Sequence, residues 1–245
     1  LFEEVKFDGV FHLAANSDIA AGSSDSRLDL ELNLLTTISI LEAMRDHGVK
    51  RLFLASSSAV FGESDVPLGE DHGPMRPISF YGASKLAAEA YVSAFTHAYD
   101  MRSIIMRFPN VVGGSRTTHG VVHDLFRRLG ADGLLVHGDG SQLKPYLHVD
   151  DLLDAIMLSV LCWDKAPFSV YHAAAGSGRT SVRKVAEIVA DGAPVFFDGK
   201  TWAGDVRRYS YADCDRLRAL GWRPTLTSTD AVQVAVDEMR LKCAS

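Results

Sequence analysis

Cysteine is scarce in this chain. There are three in 245 residues, Cys162, Cys214 and Cys243, an odd number with no Cys-x-x-Cys pair and no metal-ligand spacing. That scarcity excludes a disulfide framework and a cysteine-rich zinc site, and it leads to the expectation of a reducing, cytoplasmic setting. Long hydrophobic runs are missing as well. No apolar stretch approaches the roughly 18 residues of a membrane span, and the opening residues show neither the basic flank nor the cleavage site of a signal peptide, so no membrane association is expected. Positive charge is not in excess: 25 Lys and Arg stand against 31 Asp and Glu, for a net charge of −6. That balance argues against a nucleic-acid partner and an anionic lipid surface, while leaving room for a local basic pocket that takes one diphosphate. The sequence also lacks internal repeats, low-complexity tracts and a flexible linker.

What remains is a globular composition, 47% apolar and 23% charged, long enough for one large domain or two modest ones. Continuous apolar runs at 10–13, 51–55 and 104–108 read as strands buried on both faces. Between and after them lie helical patterns. One covers 28–48, with Leu32, Leu35, Ile38, Leu41 and Met44 on one side and a stop at His47-Gly48. Another begins at Tyr81 and continues through Leu86, Ala87, Ala90, Tyr91, Ala94 and Phe95. Two more span 151–161 and 181–190, the latter with Ser181 as its N-cap. Alternating strands and helices predict an α/β fold around a parallel sheet. A surface loop with three prolines and several acids fills 63–77.

Chemistry concentrates at Ser56-Ser57-Ser58 and at Tyr81-Gly82-Ala83-Ser84-Lys85. Tyr81 and Lys85 are four apart and so share one helix face. A phenol titrates near ~10 and is a poor base at neutral pH, but an ammonium held beside it favours the phenolate. Tyr81 can then act as a general acid or base. The serines end a strand, and open α/β sheets bind ligands at the carboxyl ends of their strands.

These motifs occur with Phe11-His12-Leu13-Ala14-Ala15 before them and Arg107-Phe108-Pro109-Asn110-Val111-Val112-Gly113 after them. Together they resemble the extended short-chain dehydrogenase/reductases of the NAD-dependent epimerase/dehydratase family, which act on nucleotide sugars. A second landmark, Gly138-Asp139-Gly140-Ser141-Gln142 with Lys144 and Tyr146-Leu147-His148-Val149-Asp150-Asp151, fits the same family, and the likeness covers nearly the whole chain. The match is to UDP-glucose (UDP-galactose) 4-epimerases. Asn110-Val111-Val112-Gly113, Thr118-His119-Gly120-Val121 and Trp202-Ala203-Gly204-Asp205-Val206 look like their archaeal-type branch.

The resemblance implies a Rossmann-like doubly wound parallel sheet, with residues 1–108 as the remainder of an NAD-binding domain. Residues 109–245 would form mainly a smaller C-terminal α/β substrate domain, with some elements packing back on the sheet. The family's strand, Gly-x-x-Gly-x-x-Gly loop and helix are not found in this sequence. Set against the family, the chain starts near its fourth strand, and about 50 to 65 residues that carry the pyrophosphate turn are expected in the natural protein. The resemblance implies Ser57, Tyr81 and Lys85 as catalytic residues. It places Ala14, Ala15, Asn33, Ser56, Tyr81, Lys85 and Phe108 around NAD. It places Ser57, Ser58, Asn110, His119, Val121, Lys144, Tyr146 and Arg207 around a UDP-sugar. Lys144 stands where relatives carry an arginine, a point charge without the bidentate fork. His119 as a metal ligand is disfavoured, since only His123 stands at ligand spacing. Asn33 is expected to be structural first, and a homodimer through helices 28–48 and 81–99 is implied.

The implied activity is 4-epimerisation with tightly held NAD, with UDP-glucose/UDP-galactose first and UDP-glucuronate second. A 4,6-dehydratase would need Asp and Glu directly after the catalytic hydroxyl, where this chain has Ser58 and Ala59. Other readings are a nucleotide-sugar reductase or decarboxylase, and a non-catalytic nucleotide-binding relative.

Overall fold

The computed structural model describes residues 2–64, 66, 68–113, 120–174, 178–200 and 214–243. Its apolar runs form strands that alternate with helices from the start. β1 (Val10–His12) is followed by the short α1 (Ile19–Ser24), and then a π-helical turn (Leu30–Leu35) runs into α2 (Thr36–Asp46). β2 (Arg51–Ser57) ends on the serines, a 3-10 turn (Ser58–Phe61) follows, and α3 (Phe80–Tyr99) leads to β3 (Arg102–Phe108). Beyond it come β4 (Asn110–Val112), α4 (Val121–Arg128), β5 (Leu134–Val136), β6 (Leu143–Lys144), β7 (Tyr146–His148) and α5 (Val149–Leu161). The chain continues through β8 (Phe168–His172), β9 (Thr180–Ser181), α6 (Val182–Ala190), β10 (Val195–Phe197), α7 (Asp215–Ala219) and α8 (Ser228–Cys243).

β1, β2, β3 and β8 make one parallel sheet in that order. The period of two along each strand sorts its side chains between two helical layers. Leu52, Leu54 and Ile105 pack with Leu41 and Met44 of α2 and with Ala88 and Val92 of α3. Phe53, Ile104 and Met106 turn to the other face, against Leu152, Ala155 and Ile156 of α5 and against Trp163. Each fully buried side chain of this size contributes about 1.5–3 kcal/mol, so both faces of the sheet are stabilised by burial. The sheet is doubly wound.

A second core lies in the C-terminal half, where Leu134, Val136, Tyr146, Val185, Val189, Val232 and Val236 meet. Short ladders support it: β5 with β10 and β4 with β7 are parallel, and β6 with β9 is antiparallel. β8 is the element of this half that returns to the main sheet.

One helix differs from its expectation. The leucine pattern over 28–48 predicts a continuous helix, but its first part is the wider π turn. Thr36 donates its hydroxyl to the Glu31 carbonyl at 3.2 Å, and Thr37 donates to the Asn33 carbonyl at 2.6 Å. Apolar spacing does not distinguish the two helix types over so short a stretch, and π turns recur where a side chain is needed inside. Here that side chain is Asn33, which is buried.

His12 packs against the same place. Its Nε2 lies 2.9 Å from the Thr37 hydroxyl oxygen. The Thr37 proton is already given to Asn33, so His12 donates through Nε2–H and is the neutral tautomer. Burial first, and then the Lys85 ammonium, pushes its pKa down to about 4. The unfolded chain takes up that proton near the ordinary value of 6.5 while the folded chain does not. Stability should therefore fall as pH drops from 6.5 to 4. Urea midpoints at pH 7 and pH 4.5 should lie closer together in His12→Gln than in the parent, and an unchanged gap would refute the assignment.

Candidate active site

Ser57 closes β2 and caps the turn that follows, accepting the Ala59 N–H at 3.2 Å. α3 starts with its own cap, Ser79, whose hydroxyl accepts the Gly82 N–H at 3.0 Å. Gly82 brings the two starts together: a Cβ there would collide with the Ala59 carbonyl. Only glycine lets the first turn of α3 press onto the turn after Ser57. The consequence is that the Ser57 hydroxyl stands beside the Tyr81 phenol, close enough for its hydrogen bonding to hold the phenol pKa down.

Lys85 lies one turn along α3 and is 5% exposed. The sequence spacing predicts its ammonium beside the Tyr81 phenol, where it would favour the phenolate. Nζ donates to the Ala55 carbonyl at 2.9 Å and stands 6.0 Å from the Tyr81 ring centre. A buried ammonium needs an acceptor, and the carboxyl-terminal part of β2 supplies one. Burial lowers the Lys85 pKa to about 8, against the opposing pull of Asp29 and Glu89. Tyr81 moves the other way. Burial raises it above the ordinary phenol value, the Ser57 hydrogen bond works against that rise, and Asp29 adds to it.

Behind the pair lies a buried charge network that the sequence motifs did not reveal. Glu89 receives Arg107 Nη2 at 2.7 Å and Nε at 3.0 Å, and Ser56 donates to its Oε1 at 2.5 Å. Arg107 also donates to the Glu70 carbonyl and to His172 Nε2, each at 3.2 Å, and its guanidinium lies 5.0 Å from the Phe61 ring centre. Glu70 accepts the His172 and Arg216 N–H groups, each at 3.1 Å, and burial raises its pKa. In front of α3, Asn33 Nδ2 donates to Asp29 Oδ1 at 3.1 Å and to Ser84 Oγ at 3.0 Å, while its Oδ1 accepts the Asn16 N–H at 2.7 Å. A signal for both groups was present. Glu89 interrupts an apolar helix stripe and Arg107 interrupts an apolar strand, and two opposite charges at buried positions call for each other.

Ser57, Ser58, Tyr81, Lys85 and Asn33 come together, and Ser56 is turned into the Glu89 network. Phe108 is half-buried opposite Ser57 in the β2–β3 ladder. Ala14 and Ala15 are exposed just after β1. Asn110 opens β4 and donates twice to the Pro145 carbonyl, from its backbone and its Nδ2, each at 3.2 Å, which brings it beside Lys144. Lys144 is half-buried on β6, and Val121 is half-buried in the first turn of α4 against the C-terminal core. Tyr146 is 0% exposed and belongs to that core, so its surface is spent on packing. His148 caps α5, and its side chain accepts the Asp150 N–H at 3.3 Å. His119 and Arg207 lie outside the described residues.

The donor set at the strand ends suits a dinucleotide. Among the described residues, Lys85 gives one of its three N–H groups to Ala55 and keeps two for the hydroxyls of a ribose. Small, exposed Ala14 and Ala15 leave room above β1.

A parallel doubly wound sheet that presents a strand-end serine to a tyrosine and a lysine on the next helix is a Rossmann-like α/β fold with a candidate active site at the carboxyl ends of its strands. More particularly, the model of the NAD dependent epimerase/dehydratase family matches residues 1–168, and the chain belongs to that family. A UDP-glucose 4-epimerase of Mycolicibacterium smegmatis is 29% identical over 255 residues, spanning 99% of this chain and 79% of that one. A solved UDP-galactose 4-epimerase superposes with a TM-score of 0.87 at 31% identity, over 98% of this chain and 79% of the other. The UDP-glucose 4-epimerase of Thermus thermophilus, solved in complex with NAD, gives 0.85 at 30% identity, over 98% and 79%.

Proposed function

We propose that this protein is a nucleotide-sugar 4-epimerase that interconverts the C4 epimers of a UDP-hexose, with UDP-glucose and UDP-galactose as the first pair. The observation that carries the reading is the Ser57–Tyr81–Lys85 arrangement without an acid after Ser57. Ser58 and Ala59 are both buried and neither can protonate a leaving hydroxyl, which speaks against dehydration. NAD, when bound, supplies the acceptor and later the donor of the C4 hydride. Lys85 and the small residues after β1 would hold it. Tyr81 takes the proton of the sugar 4-hydroxyl as C4 is oxidised, Ser57 bridges that hydroxyl, and Tyr81 returns the proton after the 4-keto sugar has turned over. Asn110 and Lys144 would meet the diphosphate, and the archaeal-type branch belongs to the same proposal. A homodimer through 28–48 and 81–99 is supported by exposed Leu32, Leu35 and Tyr91 on those segments.

Incubation of the full protein with UDP-glucose and, separately, UDP-glucuronate, each with NAD, tests this by chromatography of the products. The C4 epimer of UDP-glucose is expected. An epimer of UDP-glucuronate alone would reassign the sugar, and unchanged substrates would overturn the epimerase reading.

A further inference from the structure

Two basic side chains, Lys85 and Arg107, are fully buried among the described Lys and Arg residues. Arg107 is committed to Glu89 through paired hydrogen bonds. Lys85 has a carbonyl and no carboxylate beside it. A third buried charge, Asp29, stands near it without an ion-pair partner among the described residues, and is 1% exposed. Its Oδ1 accepts from Asn16 Nδ2 at 2.8 Å and from Asn33 Nδ2 at 3.1 Å, while Oδ2 is buried and accepts no hydrogen bond. Gly22 makes the space, since a Cβ there would collide with Oδ2. A buried carboxylate with one unsatisfied oxygen is costly unless a positive charge answers it. His12 cannot do so as the neutral tautomer, which leaves Lys85.

Asp29 is also tied mechanically to the catalytic helix. The Asn33 amide that holds it donates to Ser84 Oγ, and Ser84 lies between Tyr81 and Lys85 and donates to the Tyr81 carbonyl at 2.8 Å. We propose that Asp29 is a positioning residue of the catalytic pair, whose buried carboxylate, tied through Asn33 and Ser84 to the first turn of α3, sets the place of Tyr81 and Lys85 and supplies the negative charge that faces the Lys85 ammonium. This rests on the epimerase reading for its purpose, though not for its test.

The groups facing Lys85 are Asp29 from the π turn, Glu89 and Tyr81 from α3, and His12 from β1, with Arg107 of β3 behind Glu89. The Glu89 charge is countered by Arg107 and His12 is neutral, so the Asp29 charge is the one left uncancelled. It raises the pKa of both Lys85 and Tyr81. Its removal lowers both, and the working pH window moves as a whole towards acid. A residue that only supported the fold would reduce the rate without moving the window.

The test is a 13C NMR titration of [ε-13C]lysine-labelled full-length protein without cofactor or sugar, with the Lys85 signal assigned by its loss in Lys85→Arg. The parent midpoint is expected at about 8. In Asp29→Asn, and in Asp29→Ser as a second variant, it should fall by about one pH unit. An unmoved midpoint in a variant with native circular dichroism overturns the proposal. Failure of both variants to fold overturns it too, because Asp29 would then be a structural residue. Where the protein epimerises a sugar nucleotide, the bell-shaped rate profile of Asp29→Asn should move to lower pH. A missing activity with a shifted Lys85 midpoint would count against the epimerase reading and leave the positioning role standing.

Discussion

Tyr81→Phe is expected to remove turnover and leave the fold in place. The phenol is the group that the proposed mechanism uses to carry the proton, it stands beside the Ser57 hydroxyl, and phenylalanine fills the same volume without the hydroxyl. Positioned acid–base groups contribute about 10²–10⁴-fold, so kcat should drop by about 10³-fold or more. The stability change should stay near about 1 kcal/mol, the net worth of one hydrogen bond. Epimer formation followed by chromatography, with unfolding followed by circular dichroism, separates the two effects. A variant that keeps its rate within tenfold would remove Tyr81 from the mechanism.

Arg107→Met should give the largest loss of stability. The guanidinium is buried between Glu89, His172, the Glu70 carbonyl and the Phe61 ring, and its removal strands the Glu89 carboxylate inside the protein. Breaking a buried pair from one side costs about 3–5 kcal/mol. The double variant with Glu89→Gln should recover part of that loss, since no uncompensated charge then remains. Urea denaturation of the parent, both single variants and the double variant measures the coupling. A loss below about 1 kcal/mol in Arg107→Met, or strict additivity in the double variant, would show that the pair does not hold the site together.

Much of the fold was legible because strand burial and helix faces leave periodic marks. The runs around Phe53 and Ile105 read as strands, and the Ser181 cap was local chemistry. That Tyr81, Lys85 and Ser57 come together was legible because a four-residue helix spacing and a strand end place them. The π turn was not, since leucine spacing looks alike in either helix. Asp29, Glu89 and Arg107 were harder to read for another reason, although Glu89 and Arg107 each interrupt an apolar pattern. Each is an ordinary charged residue until a partner more than a dozen positions away in the chain gives it a buried place, and that meeting belongs to tertiary structure.

The segment joining the 3-10 turn to α3 is fastened at its middle. Glu70 is held by the backbone of His172 and Arg216, its carbonyl is held by Arg107, and Asp71 takes Arg216 Nη2 at 2.6 Å. A connection of this kind is a strut and not a flap. Because it spans the two elements that carry the Ser57 and Tyr81 hydroxyls, it holds their separation without a ligand. Association with a sugar nucleotide then loses little conformational entropy in assembling the proton path, and binding energy stays available for gripping the substrate.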